Sequence, residues 1–276
     1  MTVLPLSGRL LSVAVLVVAL AVPATASADP GATVLAHGPR TRHEVALTFD
    51  DGWGTRACGA LVDILEATRT PATFFPNAMY VRGSPGLWRR VAALGFPIGN
   101  HTTSHPVMTR LTYARQLAQI ASDRTIVEQV LGIQTIPVFR PPYGAFNRKT
   151  VAAAGAAGYA YVLNWDASFA DSSRRRNGRA WPITSYVRAA TRGIAGSVIL
   201  GHCGSAIDLA ALPRVIAAYR VRGFSFVTVP QLLGMPGAMP MSFPAPTPAA
   251  TPAATPAPTP APSPDPRPAA GPPRAL

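Results

Sequence analysis

From Glu44 onward the chain alternates short apolar runs with segments of helical periodicity, and this alternation limits the fold more than any other feature. The runs EVALTFD (44–50), ATFFPN (72–77), FPIGNH (96–101), IPVF (136–139), YAYVLNWD (159–166), SVILGH (197–202) and FSFVTV (224–229) read as strands. Between them GALVDILEAT, LWRRVAALG, YARQLAQIASDRTIVEQVLG, KTVAAAGAAG, ITSYVRAATR and ALPRVIAAYRVRG carry helical patterns. A connection long enough to hold a helix returns the chain to the same end of a sheet, so neighbouring strands run parallel. The predicted class is α/β, a parallel sheet with helices outside it. In such folds the chemistry gathers just past the carboxyl ends of the strands.

The two ends of the chain read differently. Arg9 precedes an apolar run from Leu10 to Val22, followed by Pro23 and the small triplet Ala26-Ser27-Ala28. The run is shorter than the roughly 20 residues of a membrane-spanning helix, and the pattern is that of a secretory signal peptide over residues 1–28. An uncleaved anchor is the alternative. The mature chain is expected outside the cytoplasm, secreted or wall-associated, monomeric and without a transmembrane segment. From Met235 to Leu276 proline recurs every few residues with Ala and Thr between, which suits a disordered, extended tail. The expected organisation is a lead-in over 29–43, one folded domain over 44–234 and the tail over 235–276.

Charge and cysteine content remove further classes. The chain has 25 Lys+Arg against 12 Asp+Glu, a formal +13, yet only 13% of residues are charged and 48% are hydrophobic, so charge-driven disorder is excluded. Arg174, Arg175, Arg176 and Arg179 form a basic run that would attract an anionic wall polymer; a solvated loop in an arginine-rich composition is the alternative. Nucleic acid is not an expected partner of an exported chain. Two cysteines, Cys58 and Cys203, exclude a four-thiolate zinc site. Whether they pair stays open, because sequence does not supply the Cα separation a bridge requires.

Four constellations carry chemistry. Thr48-Phe49-Asp50-Asp51-Gly52 sends two adjacent carboxylates from a strand into a glycine turn, and such a pair asks for a positive partner unless it is merely a solvated turn. Asn100-His101-Thr102-Thr103-Ser104-His105 places two imidazoles four apart, on one face if the segment is helical. Two histidines and a carboxylate make three ligands of a metal site that keeps positions open for water and substrate. Arg140-Pro141-Pro142-Tyr143-Gly144 is a rigid loop whose guanidinium can neutralise one acid of the pair. Ile199-Leu200-Gly201-His202 ends an apolar strand on a histidine, which in isolation reads as structural.

Taken in order, TFDDG, HTTSH, RPPYG and LGH resemble the motifs of the polysaccharide deacetylase family, also called carbohydrate esterase family 4 or the NodB-homology domain. The resemblance covers about Glu44 to Leu233. It implies a distorted (β/α)7-type barrel and a hydrolase that removes N-acetyl, sometimes O-acetyl, groups from polysaccharide with a divalent metal, most often zinc. It further implies Asp51, His101 and His105 as metal ligands, Asp50 as general base and Arg140 as the residue that pairs with Asp50 and aims it. The backbone N–H of Tyr143 would meet the oxyanion, Leu200 would line the acetyl-methyl pocket and His202 would be the general acid. Peptidoglycan leads the implied substrates, with chitin oligosaccharide and acetylxylan behind it.

One motif departs from the family. Where members carry Asp-x-x-Asp-Trp, alignment on Trp165 keeps the second acid as Asp171 but puts Ser168 and Ser172 in place of the first acid and the tryptophan. Asp171 is then the expected partner of His202, with Asp166 as rival, and the missing tryptophan bears on sugar preference rather than on the reaction. Three other functions compete: a non-catalytic glycan-binding module, a two-histidine-one-carboxylate iron oxygenase and a metal amidohydrolase acting on a small amide. The first would have lost ligands or base, the second has no need of Asp50 or Arg140, and export argues against the third.

Overall fold

The computed structural model describes residues 31–171, 175–176 and 179–243, without the side chains of 175–176 and 179–180. The expected signal peptide, the chain beyond 243, Ser172, Arg174 and the side chains of Arg175, Arg176 and Arg179 lie outside the described residues. In chain order the strands are β1 (Thr33–Leu35), β2 (Glu44–Asp51), β3 (Ala72–Pro76), β4 (Val138–Phe139), β5 (Tyr161–Leu163), β6 (Ala167–Ser168), β7 (Arg175–Arg176), β8 (Arg179–Ala180), β9 (Val198–Cys203) and β10 (Ser225–Phe226). The helices are α1 (Thr55–Ala67), α2 (Ala78–Gly83), α3 (Pro85–Ala93), α4 (Tyr113–Leu131), α5 (Arg148–Ala156), α6 (Ile183–Ala190), α7 (Ala206–Val221) and α8 (Val229–Leu232). No helix among the described residues is long and apolar enough to cross a membrane.

The architecture is α/β with parallel strands, as the alternation predicts. β2 pairs with β9 from Ala46 to Asp51, with β3 from Leu47 to Asp51 and with β10 at Glu44 and Val45, and β9 pairs in turn with β6. A second parallel sheet has the order β1-β5-β4. Single parallel bridges, Phe74 to Ile98 and Asn100 to Phe139, carry the curl from β3 across to β4. Between β5 and β6 the described residues form no ladder, so hydrogen bonds leave a seam in the barrel there.

The pattern of β2 explains how the site is aimed. All but its first residue is buried, because a parallel strand is covered on both faces. Val45, Leu47 and Phe49 pack with Leu61, Val62, Ile199 and Leu212 in one core shared with the helices. Ala46 packs with Phe75, Val138, Leu163 and Val198 in another. Successive strand residues face opposite sides, so Thr48 and Asp50 follow Ala46 into that second core. Each fully buried large apolar side chain contributes about 1.5–3 kcal/mol, which is what keeps such polar groups in place.

Several elements differ from expectation. FPIGNH makes only isolated bridges, and of FSFVTV only Ser225 and Phe226 pair, because Thr228 and Gln231 form a capping box that starts α8. α7 begins at Ala206, well before the expected Ala211, since the Ser205 hydroxyl accepts the Asp208 N–H at 3.2 Å and caps a helix that then carries Pro213 inside it. Beyond 234, where the tail was expected, Met235 is buried and Met241 and Phe243 pack on the core, the Phe243 ring 5.9 Å from that of Phe96.

Candidate active site

β2 delivers Asp50 and Asp51 to the carboxyl edge of the sheet, in register with His202 and Cys203 of β9. A regular strand would point neighbouring side chains to opposite faces. Asp51 instead adopts φ 68°, with Gly52 after it at φ 129°, and both carboxylates reach His101: Nε2 stands 3.7 Å from Asp50 Oδ2 and 3.7 Å from Asp51 Oδ1. Among the described residues six non-glycine residues have such left-handed φ, and Asp51, Thr102, His105, Tyr143 and Ala170 of these lie in or beside the site. Strain of this kind persists only where the surrounding structure holds it.

Arg140, wholly buried, is the hub. Its Nη1 donates to Asp50 Oδ1 at 2.7 Å and to the Thr48 hydroxyl at 2.8 Å, its Nε donates to the Leu163 carbonyl at 3.2 Å, and the guanidinium lies 4.2 Å over the Phe75 ring. Burial pulls its pKa down and the Asp50 carboxylate pushes back. The Arg140 carbonyl lies 2.7 Å from His101 Nδ1. A carbonyl only accepts, so Nδ1 carries the proton and the Nε2 lone pair faces the acids.

Asp51, His101 and His105 bring their ligand atoms within 4.8 Å of one another, with His105 Nε2 at 3.5 Å from Asp51 Oδ1. Donors about 2.0–2.2 Å from a tetrahedral ion stand roughly 3.4 Å apart, so these residues fit a divalent metal. The protonation states fit as well. Burial lowers the pKa of His101, and burial together with His101 lowers that of His105, so both imidazoles are neutral. Burial lifts Asp51 to about 6, His105 opposing and Asp50 adding to it, which describes a carboxylate short of a cation. Asn77 Nδ2 donates to Asp51 Oδ1 at 3.1 Å and holds its orientation.

His202 is built for a proton. Asp171 Oδ1 and Oδ2 lie 2.8 and 3.0 Å from its Nδ1, and its backbone N–H donates to Asp208 Oδ2 at 2.7 Å. Gly201 permits that approach, since a Cβ there would sit 2.9 Å from the same oxygen. Burial works against the imidazolium, but the hydrogen bond and charge of Asp171 outweigh it and leave His202 at about 9. Leu200, two residues before it, is buried in register with Ser168 of β6. Tyr143 takes φ 61° between Pro142 and Gly144, and no acceptor for its N–H stands among the described residues; its ring packs edge-on to His105 at 4.5 Å.

The four motifs thus meet at one mouth, and two comparisons with known proteins agree on what it belongs to. Residues 37–162 match the family model described as polysaccharide deacetylase. A chitooligosaccharide deacetylase of Bradyrhizobium sp. (strain ANU 289) is 33% identical over 203 residues, which span 68% of this chain and 90% of that protein. The chain belongs to the polysaccharide deacetylase family. A peptidoglycan-N-acetylglucosamine deacetylase of Bacillus cereus is 30% identical over 203 residues, covering 71% of this deacetylase and 70% of its relative. The chain spans only 40% of the peptidoglycan-N-acetylglucosamine deacetylase of Listeria monocytogenes, at 28% identity. Among solved structures, a peptidoglycan N-acetylglucosamine deacetylase superposes with a TM-score of 0.66 at 27% identity, over 73% of this chain and 92% of that one. All these relatives are named as deacetylases, hydrolases that cut amide bonds.

Two alternatives that the sequence leaves open are resolved. His101 and His105 do not share a helix face; they sit in a loop with left-handed Thr102 and His105, and Pro106 disfavours a right-handed turn at His105. Asp166 is not the partner of His202, because Arg40 at 2.6 Å, the Ser197 hydroxyl at 3.0 Å and the Val198 N–H at 2.9 Å already hold its carboxylate. Cys58 and Cys203 form a disulfide that ties α1 to the end of β9. Sequence reasoning passed over Asn77, Asp123 and Asp208. Asp123 accepts the Ala78 N–H at 2.9 Å, and burial, opposed by the N–H groups of Ala78 and His101, pushes its pKa well up. Its signal was present, since Gln116, Ile120, Asp123 and Val127 share the buried stripe of α4. Asp208 reads in sequence as no more than a helix first-turn acid.

Proposed function

We propose that this chain is an exported, zinc-dependent deacetylase that hydrolyses N-acetyl groups of a cell-wall glycan, peptidoglycan before chitin oligosaccharide and acetylxylan. The observation that carries this reading is the meeting, at one mouth, of the Asp51–His101–His105 donors with Asp50 on Arg140 and His202 on Asp171. Export is supported by the signal-like N-terminal pattern and by the disulfide, a bond that persists in oxidising compartments. The names of the relatives support the substrate ranking.

Asp51, His101 and His105 would hold the ion, which when bound polarises an acetyl carbonyl and makes water more acidic. Asp50 has Oδ1 engaged by Arg140 and turns Oδ2 toward His101, where it can accept the proton of the attacking water. The Tyr143 N–H, fixed by the two prolines that precede it, donates to the developing oxyanion. His202, charged at neutral pH, hands its Nε2 proton to the departing amine while Asp171 stabilises the imidazolium. Leu200 offers an apolar wall to the acetyl methyl.

Acetate release from N-acetylglucosamine oligomers, peptidoglycan and acetylxylan tests the reading, with zinc, with chelator and with Asp50→Asn. Release should be chelator-sensitive, and Asp50→Asn should cut turnover by roughly 10²–10⁴-fold while retaining metal. Silence on all three polymers from metal-loaded protein would sink it.

A further inference from the structure

Trp53 is placed unlike the other tryptophans. Trp88 is a core residue, and Trp165 and Trp181 pack half-buried against the cores. Trp53 joins no core cluster among the described residues and is 47% exposed. An indole left in water gives up burial that would stabilise the fold, so its place at the mouth carries the argument. It stands in the connection Gly52-Trp53-Gly54 from β2 to α1, directly past the strand end that delivers Asp50 and Asp51. Its ring centroid is 5.6 Å from that of His202, with the planes tilted by 39°.

The backbone behind the indole is fixed. A Cβ on Gly54 would stand 2.7 Å from the Gly204 carbonyl oxygen, and one on Gly204 would stand 2.5 Å from the Gly54 nitrogen, so the two segments touch with no side chain between them. The Gly204 Cβ position is also only 3.3 Å from Trp53 Cδ1, so the indole rests on that backbone. The disulfide fastens the same contact, because Cys203 precedes Gly204 and the Cys58 N–H donates to the Gly54 carbonyl at 2.8 Å. A face supported in this way loses little freedom when a ligand packs on it.

We propose that Trp53 is the platform for the sugar ring that carries the scissile acetamide. The proposal rests on the deacetylase reading above and deepens it. The amine nitrogen that His202 would protonate is bonded directly to a carbon of that ring, so the ring lies close to the imidazole, where Trp53 offers an exposed flat face. The axial C–H bonds of a pyranose present weakly positive hydrogens, and these suit the negative face of an indole.

The test separates binding from turnover. Calorimetry on full-length, zinc-loaded Asp50→Asn protein measures binding of an N-acetylglucosamine oligomer and of a soluble peptidoglycan oligomer. Acetate release, resolved into kcat and KM, is measured with Asp50 intact. Trp53→Leu keeps an apolar cover on His202 but no flat face; it should weaken binding and raise KM roughly 10-fold with kcat little changed. Trp53→Tyr should restore most of the loss. Unchanged binding in Trp53→Leu, an equal loss in Trp53→Leu and Trp53→Tyr, or no binding of either oligomer overturns the platform. A fall in kcat at constant KM also overturns it, since that marks packing on His202 alone. Trp53-dependent binding without acetate release from any polymer keeps the sugar platform and sinks the deacetylase reading; acetate release with a KM indifferent to Trp53 does the reverse.

Discussion

Two groups of carboxylates and imidazoles stand at the carboxyl ends of β2 and β9, and they differ in spacing. In Asp51, His101 and His105 the facing atoms are 3.5 to 3.7 Å apart. Around His202 the contacts to Asp171 and Asp208 measure 2.7 to 3.0 Å. The first distance leaves room for an ion between donors; the second is filled by a proton. The imidazole charge follows, with His101 and His105 held neutral by burial and His202 held charged by Asp171. Under the proposed function the same residue types would serve Lewis-acid chemistry in one group and proton transfer in the other, with the closeness of the carboxylates separating the two.

The largest effects should come from exchanging the two histidine roles. His101→Ala and His202→Ala should each lower turnover by roughly 10²–10⁴-fold, but bound metal, counted by elemental analysis, should vanish only in the first. Loss of metal in both would merge the two groups into one site.

The disulfide joins the ends of this comparison, because Cys203 follows His202 and pairs in register with Asp51. Its ring closes over a sequence separation of 145 residues. Cys58→Ser/Cys203→Ser should destabilise the domain by about 2–5 kcal/mol, read as a drop in denaturation midpoint. An unchanged midpoint would mean that the two strand ends are held without the bond.

The smallest effect is a displacement along the pH axis. Asp171→Asn removes the partner that raises His202, so the basic limb of the rate profile should fall from about 9 toward the ordinary 6.5. Stability should follow the same group. A raised folded-state pKa contributes fully below about 6.5 and is lost as pH climbs through about 9. The gap between parent and variant should thus be widest near pH 6 and close by pH 9 to 10. A gap that widens with pH would reverse the assigned charge.

How much of this was legible depended on the range of the interaction. The parallel α/β class follows from strand and helix periods that any short window displays, and the helix α4 followed from its apolar spacing. The barrel seam, the short β10 and the early start of α7 did not, because each turns on a cap or a pairing partner that lies elsewhere or competes locally. The loop geometry of His101 and His105 stayed open for the same reason. A four-residue spacing suits a helix, yet backbone partners around Asn100 and Arg140 and the following proline impose a turn.

Sequence by itself determined the donors, the rigid RPPYG loop and the strand ends that carry them, since those are properties of residue type and local order. Tertiary structure decided between Asp171 and its rival Asp166 for His202, and it alone decided that Cys58 meets Cys203 and that Asp123 and Asn77 brace the loop and carboxylate of the candidate metal site. Each of those pairings spans a sheet or a helix layer, and electrostatic and hydrogen-bond energies act over a few ångströms of space whatever the distance along the chain.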